Sequence, residues 1–366
     1  MSRGQNVGMR TRRAMLRLVK VFERLLGRQK TLYVWDRVPF YRDMWQQAAG
    51  RHGLELSSLG DEIWELCRDG HCVSRINNCY VELDDPVTLH VAGDKEATFR
   101  LLERAGLPVA PHAVFTLDET DRLRDFMASC GGPYVVKPAS GTGSGLGVST
   151  HLYSQRDCMT AAALASLYDS RIIVEKFIPG EVYRFLFIGG VFTSAVCRRG
   201  VRVTGDGVNS FEQLVRRELE SRGIGGFREL DRDIDLKATM VAQGLSLSDV
   251  PAPGTVSLVK SVAQKYSDNQ EVRTIYTDDV TTEVGSRLIA DARNACVALR
   301  SDFCGVDLIT TDPSRPLAES AGVIGEINTT PGLHHHYSLR GSSGGDHVVD
   351  AVMALLIRRS EERRAA

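Results

Sequence analysis

The sequence predicts a mixed α/β or α+β fold in about three modules, and three observations support this. Short apolar segments typical of buried strands alternate with segments of helical periodicity along most of the chain. No internal repeat interrupts the alternation. The 366 residues, 43% hydrophobic and 25% charged, are sufficient to bury a large core in two or three domains.

The first elements are predicted from apolar spacing and from their end signals. Residues 31–36 (TLYVWD) indicate a strand, and residues 40–53 indicate a helix that ends at a glycine. The Asp69-Gly70 pair between two apolar runs predicts a hairpin turn. Residues 94–108 indicate a further helix, stopped by a glycine and a proline.

The second half of the chain continues the alternation. Residues 135–150 predict a strand, a glycine-rich loop and a second strand. Ser154 and Asp157 predict the N-terminal cap of the helix that follows. The remaining predicted elements are a buried strand at 171–178, a hairpin at 182–198, helices at 211–222 and 283–300, and strands at 305–311 and 323–332.

Composition argues against several classes of protein. The net charge of −1 gives no support to nucleic-acid binding. The eight cysteines are scattered and never form C-x-x-C, so we expect reduced thiols in a cytosol rather than a zinc knuckle or a disulfide framework. No stretch reaches the roughly 18–20 apolar residues of a membrane span, and a cytoplasmic protein is expected.

The first 30 residues form a basic amphipathic segment. Nine Lys/Arg stand against Glu23 alone, a net charge of +8, and apolar residues recur at helical spacing from Met15 to Leu26. No small-residue cleavage site is present, so a signal peptide is not expected. A helix packed on its own protein, a helix packed on a homodimer partner and a frayed tail remain alternatives, and contact with a membrane surface is the least expected of them.

A glycine-rich loop, VVKPASGTGSGLGVST at 135–150, suggests a phosphate site. Lys137 precedes glycines at alternating positions, and closely spaced backbone N–H groups form anion-binding concavities. A Walker loop places its lysine after the glycines, a Rossmann loop needs glycine where Leu146 stands, and a kinase needs H-R-D and D-F-G. A flap that covers a nucleotide is the remaining phosphate site, and a loop without ligand is the alternative.

Two predicted C-terminal strands indicate a magnesium site. Glu326 and Asn328 are two residues apart and share a strand face, and Ile324 should continue that row. A hairpin with the preceding strand would bring Asp307 beside Glu326. Two carboxylates and a carboxamide oxygen suit Mg²⁺ when phosphates supply the other ligands. For either acid taken alone, a structural role is the alternative.

At these motifs the chain resembles the ATP-grasp superfamily, over roughly residues 90–350. Its order and spacing of motifs are specific, although each motif is weak by itself. It is most similar to the ATP-grasp module of cyanophycin synthetase and of fused γ-glutamylcysteine–glutathione synthetases. The additional domains of those enzymes are not evident, so we expect this chain to act alone. The motifs are GDK (93–95), GLPV (106–109), VVKP (135–138), VEKFIPG (174–180), RFLFIGG (184–190), GDG (205–207), GVDLI (305–309) and GEINTTPGL (325–333).

The resemblance implies an ATP-grasp fold with ATP held between its last two domains. The implied domains, after the basic segment 1–30, are an N-terminal α/β domain (31–92), a central lid (93–178) and a C-terminal domain (179–366). The implied cofactors are ATP and Mg²⁺, with two ions and with Mn²⁺ as a substitute. Asp307, Glu326 and Asn328 would hold the metal. ATP would be held by Lys95, Lys137, Ser140, Gly141, Gly143, Gly145, Gly147, Glu175, Lys176, Phe177, Ile178 and Glu181.

Two departures from the family pattern concern ribose and substrate. Val182 holds the position of the usual ribose-binding acid and Glu181 stands one residue early, so ribose binding by Glu181 is an open expectation. Lys260 stands where relatives have an arginine near the reacting groups, and we take Lys260 and Arg199 as the candidate catalytic cations.

Three consecutive histidines follow the predicted metal strand. They do not predict zinc, because consecutive residues cannot all converge on one ion. His334 and His336 are expected instead to border the substrate pocket.

The resemblance implies an ADP-forming ligase that joins a small-molecule carboxylate to an amine through an acyl phosphate. Amino acids or small peptides are the expected substrates, in specialised metabolism. A ligase that modifies a protein or peptide side chain and a non-catalytic ATP-binding scaffold are the alternatives.

Overall fold

The computed structural model describes residues 11, 13–18, 37–60, 62–142, 145–221, 234–260, 277–337 and 345–365. The chain forms two compact units, each assembled from separate segments. The first unit comprises Met1–Val34, Ala110–Phe177 and Arg199–Tyr276, and the second comprises Trp35–Val109, Ile178–Arg198 and Thr277–Ala366. The four domains expected from the sequence are consecutive, whereas each of these units combines three separate segments. The predicted domain boundaries stay a prediction.

The elements alternate between helix and strand, which confirms the mixed α/β class. In chain order they begin with α1 Arg37–Arg51, β1 Glu55–Ser58, β2 Ile63–Arg68, β3 His71–Asn77, β4 Tyr80–Val81, α2 Pro86–Gly93, α3 Lys95–Arg104, β5 His112–Phe115, α4 Thr120–Ser129, β6 Tyr134–Pro138, β7 Ser149–Leu152, α5 Gln155–Ala165 and β8 Ile172–Lys176. They continue with β9 Glu181–Ile188, β10 Val191–Arg198, β11 Val201–Thr204, α6 Phe211–Ser221, α7 Ile234–Ala242, β12 Val256–Lys260, β13 Thr277–Asp279, α8 Ser286–Leu299, β14 Phe303–Thr310, α9 Leu317–Ser320, β15 Val323–Thr329, a 3₁₀ helix Leu333–His336 and α10 Asp346–Ala365.

The second unit is built around an antiparallel sheet in the order β13–β10–β9–β14–β15. Part of one sheet face carries Leu186 and Ile188, which pack with buried side chains of α1, α10 and the β1–β4 sheet. Trp45 and Met353 are fully buried in that core. Because the apolar layer covers only part of the face, other positions on the same face are left for polar side chains.

The first unit contains two smaller sheets with separate cores. The sheet ordered β5–β8–β6–β7 packs against α4 and α5, where a run of small side chains from Ala161 to Ala165 lets α5 lie close to the strands. Ser154 caps α5 by accepting a hydrogen bond from the Asp157 backbone N–H, as predicted. Strands β11 and β12 pair and bury their apolar side chains against α6 and α7.

Several sequence predictions are confirmed by these elements. The hairpins β2–β3 and β9–β10 form, and so do the helices α1, α3, α6 and α8, with ends that differ by a few residues from the predicted bounds. The strand predicted at 31–36 lies outside the described residues. Among the described helices, none combines the length and apolarity that crossing a bilayer requires.

The N-terminal segment is described only in part. Residues 13–18 are helical, and Met15 and Leu18 are exposed. An Arg13 Nη2 group donates a 2.9 Å hydrogen bond to the backbone oxygen of Ser166, within the first unit. The other residues predicted to extend the helix lie outside the description.

One pair of cysteines corrects the expectation of reduced thiols throughout. Cys296 on α8 and Cys304 on β14 are joined by a disulfide, with their Cα atoms 6.6 Å apart. The two cysteines are eight positions apart, and the short connection between α8 and β14 reverses the chain so that they meet. The other six cysteines are not disulfide-bonded.

Candidate functional site

The β14–β15 hairpin brings the predicted metal ligands together. Asp307 lies directly opposite Glu326 in the ladder, which confirms the expected pairing, and Gly305 lies opposite Asn328. The register shifts by one residue at Gly325, since Leu308 pairs with Ile324. Because directly opposed residues share a sheet face, the pairing before this bulge places Glu326 and Asn328 on the face of Asp307.

The same bulge corrects the prediction for Ile324. Leu308 follows Asp307 directly, so the two side chains point to opposite faces. Because Ile324 pairs with Leu308, it lies on the face opposite Glu326 and is fully buried there. The polar row therefore begins at Glu326.

Two arginines hold the Asp307 carboxylate. Arg184 of β9 donates from Nε to Oδ1 at 2.6 Å and from Nη2 to Oδ2 at 2.7 Å, and Arg198 of β10 donates from Nη1 to Oδ2 at 3.2 Å. All three side chains are buried. Burial by itself lowers the pKa of Arg184, but the charge and hydrogen bonds of Asp307 outweigh it and the pKa is raised. Arg184 therefore keeps its positive charge beside Asp307.

Gly305 provides the room for this contact. An added Cβ at Gly305 would lie 3.1 Å from Pro331 Cβ and 3.3 Å from Arg184 Cδ. The Arg184 side chain thus crosses β14 over a residue that has no side chain. This explains the glycine in the predicted GVDLI strand.

A β-bulge decides which arginine of Arg198-Arg199 faces Asp307. The β9–β10 ladder pairs Ile188 with Val191 but Arg184 with Val196, because Thr193 is an extra residue in β10. Without the bulge, the row of Arg184 would include Arg199; with it, the row includes Arg198. The structure thus places Arg198 beside Asp307, whereas Arg199 follows β10 and belongs to the first unit. Neither Arg184 nor Arg198 was among the predicted site residues.

Lys95 joins the same charged group through Glu326. Lys95 is the first residue of α3, which the Asp94 side chain caps by accepting from the Ala97 backbone N–H. Its Nζ lies 3.2 Å from Glu326 Oε1, with the lysine side chain 10% exposed and the glutamate 27% exposed. Across the described residues, no three His, Cys, Asp or Glu side chains are placed to hold a metal by themselves.

The 3₁₀ helix carries the three histidines into the second unit. Tyr41 Oη lies 2.7 Å from His334 Nδ1, and Ser194 Oγ lies 2.9 Å from His336 Nδ1. His334 and His336 are buried, whereas His335 is partly exposed. Burial, followed by the positive charges of Arg184 and Arg198, lowers the pKa of His336 to about 3. This imidazole is neutral at physiological pH.

The glycine loop of the first unit joins β6 to β7 as predicted, and both strands pair antiparallel. An added Cβ at Gly147 would lie 2.8 Å from the Tyr168 ring and 2.9 Å from Pro138 Cγ, so both backbone and packing require glycine there. Gly143 lies outside the described residues. Positive φ angles, of 71°, 83° and 70°, occur at Gly141, Gly145 and Gly147.

Lys137 and Glu175 form a buried ion pair in the first unit. Lys137 Nζ lies 3.0 Å from Oε1 and 2.8 Å from Oε2 of Glu175. At the start of the loop, Ser140 Oγ donates to Asp169 Oδ2 at 2.7 Å. Glu175 thus contacts the lysine directly, whereas the sequence suggested only a place in an adenine pocket.

Two prolines shape the end of β8. The Lys176 backbone N–H donates to Pro111 O at 2.9 Å, and the Phe177 N–H donates to Pro133 O at 2.8 Å. Proline has no N–H, so neither can return the bond that an antiparallel ladder would give. The carbonyls of Lys176 and Phe177 are therefore left without that ladder bond. Ile178, the next residue, belongs to the second unit.

Glu181 and Lys260 are two further predicted site residues. Glu181 is three residues before Arg184 on β9, so the two side chains lie on opposite faces. Lys260 is buried in the first unit, at the end of β12, where it pairs with Val201. Both roles stay predictions.

The GDG motif forms a turn. Asp206 accepts hydrogen bonds from the backbone N–H groups of Val208 and Asn209, and these, with the bond from the Asn209 side chain, lower its pKa to about 2. An added Cβ at Gly205 would clash with the Ala252 carbonyl oxygen. The motif therefore has a structural explanation.

Comparison with known proteins identifies the relatives. A family model described as D-ala D-ala ligase C-terminus matches residues 101–189. Cyanophycin synthetase from Trichormus variabilis is 30% identical over 284 residues, which are 75% of this chain and 30% of the relative. The bifunctional glutathione biosynthesis protein of Streptococcus mutans is 27% identical over 315 residues, 83% of this chain and 40% of the relative. The chain thus spans less than half the length of these relatives.

A solved structure supports the fold. The bifunctional glutathione synthetase from Pasteurella multocida superimposes with a TM-score of 0.58 at 22% identity, over 85% of this chain and 42% of that chain. The family-model match, over residues 101–189, includes the glycine loop. From its motifs, its fold and these relatives, the chain belongs to the ATP-grasp superfamily.

Proposed function

We propose that this chain is an ATP-dependent ligase that joins a carboxylate to an amine and releases ADP and phosphate. The observation that carries the proposal is the charged row of the second unit, in which Lys95, Arg184 and Arg198 surround the carboxylates of Asp307 and Glu326. Phosphoryl transfer depends mainly on positioning and on charge stabilisation rather than on a protein nucleophile. A fixed array of cations and metal-binding acids suits that chemistry.

The donor set fits Mg²⁺. Asp307 accepts hydrogen bonds from Arg184 and Arg198, and a carboxylate oxygen can bind a metal ion while it also accepts hydrogen bonds. Asn328 Nδ2 is buried with no hydrogen-bond partner among the described residues. The two ends of a carboxamide are assigned from their partners, and the reversed amide would present its oxygen there. Glu326 completes an all-oxygen set.

Each charged side chain has a distinct part in this proposal. Mg²⁺ held by Asp307, Glu326 and Asn328 would supply charge neutralisation at the ATP phosphates. Arg184 and Arg198 orient the Asp307 carboxylate, because they fix it from two strands. Lys95 places a positive charge at the N-terminus of α3, where the helix dipole also favours an anion. Together they stabilise negative charge on the transferred phosphoryl group.

The first unit supplies nucleotide-binding groups in the same proposal. Glu175 keeps the buried Lys137 ammonium paired and oriented, and the glycine loop follows on the same strand. The Lys176 carbonyl, which Pro111 leaves without a ladder partner, is an acceptor for an adenine amino group. In this proposal the two prolines leave acceptors available at the adenine pocket that the resemblance implies.

An acyl phosphate is the intermediate that this arrangement favours. A carboxylate oxygen attacks the γ-phosphorus and ADP leaves; the amine then attacks the acyl carbon, and phosphate leaves with the C–O electron pair. Amino acids or small peptides are the proposed substrates, because the matched family model is that of D-ala D-ala ligases. Magnesium in one or two ions, or Mn²⁺ in its place, is the proposed metal.

Mass spectrometry of reaction mixtures tests this function. The protein is incubated with ATP, Mg²⁺ and pools of amino acids and short peptides, and new masses are sought that correspond to condensation with loss of water. We expect such a product together with ADP, and neither with the Glu326→Ala variant. Condensation onto an added protein instead would favour the side-chain-modifying ligase, and ATP binding without any product would favour the scaffold.

A further inference from the structure

Two cysteines face each other across the β2–β3 hairpin of the second unit. Cys67 of β2 is paired directly with Cys72 of β3 in the ladder. The hairpin turns at Asp69 and Gly70, whose φ angles of 49° and 75° are both positive, so the connection is a two-residue type I′ turn. In the strand ladders that the structure describes, no other two cysteines are directly opposed.

The turn sets the spacing of these two cysteines. The residues that flank a two-residue turn, here Arg68 and His71, are joined by the hydrogen bond of the turn. Hydrogen-bonded and non-hydrogen-bonded pairs alternate along an antiparallel ladder, so Cys67 and Cys72 form a non-hydrogen-bonded pair. The Cα atoms of such a pair are about 4.5 Å apart, and disulfides need about 4.4–6.8 Å. The backbone of the hairpin therefore has the spacing of a cross-strand disulfide.

Both thiols lie on the outer face of the β1–β4 sheet. The inner face carries Trp64, Leu66 and Ile76 into the apolar core, and Cys67 alternates with the first two of these along β2. Cys72 is exposed and Cys67 is partly exposed. A small thiol reagent can therefore reach the pair from solvent.

Carboxylates surround the two thiols. Cys67 Sγ donates to Glu65 Oε2 at 3.7 Å, and Glu55 of β1 is paired with Cys67 from the other side. Arg75 of β3 supplies an opposing positive charge and lies 3.2 Å from Glu65 Oε1. Burial, followed by the hydrogen bond and the charge of Glu65, raises the pKa of Cys72 to about 11, and burial and Glu65 also raise the pKa of Cys67. Because the thiolate is the reactive form, the pair reacts slowly at neutral pH.

We propose that Cys67 and Cys72 are a modification site, at which a low-molecular-weight disulfide converts the two thiols to a cross-strand disulfide at a rate that Glu65 limits. The exposed Cys72 loses its proton to solvent, and its thiolate attacks one sulfur of the reagent, whose S–S bond breaks and releases one thiolate. The Cys67 thiolate then attacks Cys72 Sγ and releases the second. Two electrons pass from the protein to the reagent, and both leaving thiolates take up protons from water. The site does not depend on the proposed ligase activity.

Peptide mapping tests the linkage. The full chain is incubated with glutathione disulfide at roughly pH 8.5, its remaining thiols are alkylated, and it is digested with trypsin without reduction. Cleavage after Arg51, Arg68 and Arg75 gives the peptides 52–68 and 69–75, each with one cysteine. We expect these two peptides to be joined, and to separate on reduction. Linkage of either peptide to a different cysteine, or two glutathione adducts without a link, would overturn the proposal.

Single substitutions separate the two steps. Cys67→Ser should stop at a mixed disulfide between Cys72 and one glutathione. Cys72→Ser should be modified more slowly, because Cys67 is the less exposed thiol. Cys79→Ser is the matched control, since Cys79 is also partly exposed but follows β3 in the turn, and it should form the link at the wild-type rate. Faster modification of Cys72→Ser than of Cys67→Ser would show that Cys72 is not the attacking thiol.

The rate of link formation tests the part of Glu65. In the wild type the rate should rise about tenfold per pH unit between about pH 7 and 9, because the thiolate fraction does so. Glu65→Gln keeps an acceptor without the charge, and each unit by which the thiol pKa falls should speed the link roughly threefold at neutral pH, since the lower nucleophilicity offsets part of the gain in thiolate. Glu62→Gln, which removes a carboxylate bonded to Asn78 at the other end of β2, is the matched control and should react as the wild type does. Equal rates in Glu65→Gln and the wild type would overturn the role of Glu65.

Discussion

Replacing Asp307 by alanine should destabilise the protein as well as inactivate it. The substitution removes a carboxylate that accepts bonds of 2.6, 2.7 and 3.2 Å from Arg184 and Arg198. Both guanidinium groups are buried, so each would keep its charge without its partner in the protein interior. Removing one member of a buried ion pair costs about 3–5 kcal/mol. We expect a loss within that range, because both arginines bond to this carboxylate.

The expected change is large enough to measure by thermal unfolding. For a domain of 150–250 residues, about 1 kcal/mol corresponds to roughly 2–4 °C, so a loss of 3–5 kcal/mol lowers the Tm by roughly 6–20 °C. Glu326→Ala is the matched control. Its ion pair with Lys95 is at 3.2 Å, and the glutamate side chain is 27% exposed whereas Asp307 is buried, so the loss of stability should be smaller than in Asp307→Ala.

The comparison of the two variants decides the interpretation. Both should lose ADP formation, because each lacks a proposed metal ligand, but only Asp307→Ala should unfold at markedly lower temperature. Equal Tm values for Asp307→Ala and the wild type would refute the view that Asp307 neutralises the buried arginines. Retained Mg²⁺-dependent activity in either variant would refute the metal assignment.

Further predictions follow from the geometry of the same strands. Gly305→Ala places a Cβ 3.3 Å from Arg184 Cδ and should cost about 1–3 kcal/mol in unfolding free energy and lower kcat; wild-type stability and activity would contradict this. Glu181→Ala should raise the KM for ATP with little change in kcat, as expected of a residue that binds ribose, and an unchanged KM would show that the nucleotide is held without it. The pKa of His336 is lowered to about 3 in the folded protein, so between about pH 3 and 6.5 the unfolded state binds one more proton at this residue than the folded state does. The free energy of unfolding should therefore fall as the pH drops through that window. Urea titrations should show this contribution in the wild type and not in His336→Gln. Chelation of Mg²⁺ by EDTA should stop ADP formation, and Mn²⁺ should restore it; activity that persists in EDTA would argue against a metal.

The local sequence pattern was sufficient to predict the pairing of Asp307 with Glu326 in the β14–β15 hairpin. Asp307 and Glu326 lie on consecutive strands, so adjacency in sequence and the two-residue period together predict that they meet. The pattern failed at Ile324, because the bulge at Gly325 reverses which side of β15 each earlier side chain faces. Glycine within a strand is a signal for such a bulge, and it was present in the sequence.

The arginines could not be derived in the same way. Arg184 and Arg198 are separated from Asp307 by 123 and 109 residues, and nothing local states that β9 pairs with β14. The choice between Arg198 and Arg199 depends on one extra residue, Thr193, in the β9–β10 ladder. A one-residue change of register moves each side chain to the other face of the sheet. Two adjacent arginines in the sequence therefore do not indicate which of them faces Asp307.

The end of β8 shows a third limit of sequence-based prediction. Pro111 and Pro133 flank the end of β8 from strands on either side, and their missing N–H groups matter only once the ladder is known. The motif VEKFIPG indicated the place through resemblance. That the carbonyls of Lys176 and Phe177 lack ladder donors can be inferred only once the strand order β5–β8–β6 is known.

Identification of the nucleotide product tests the central claim most directly. With ATP, Mg²⁺ and the acid and amine found by mass spectrometry, phosphorus NMR should show ADP and phosphate, formed at full rate only when both substrates are present. With the acid alone, hydroxylamine should trap the acyl phosphate as a hydroxamate. AMP and pyrophosphate would contradict phosphorylation at the γ position, and full-rate ADP formation without any amine would show a kinase or hydrolase instead of a ligase.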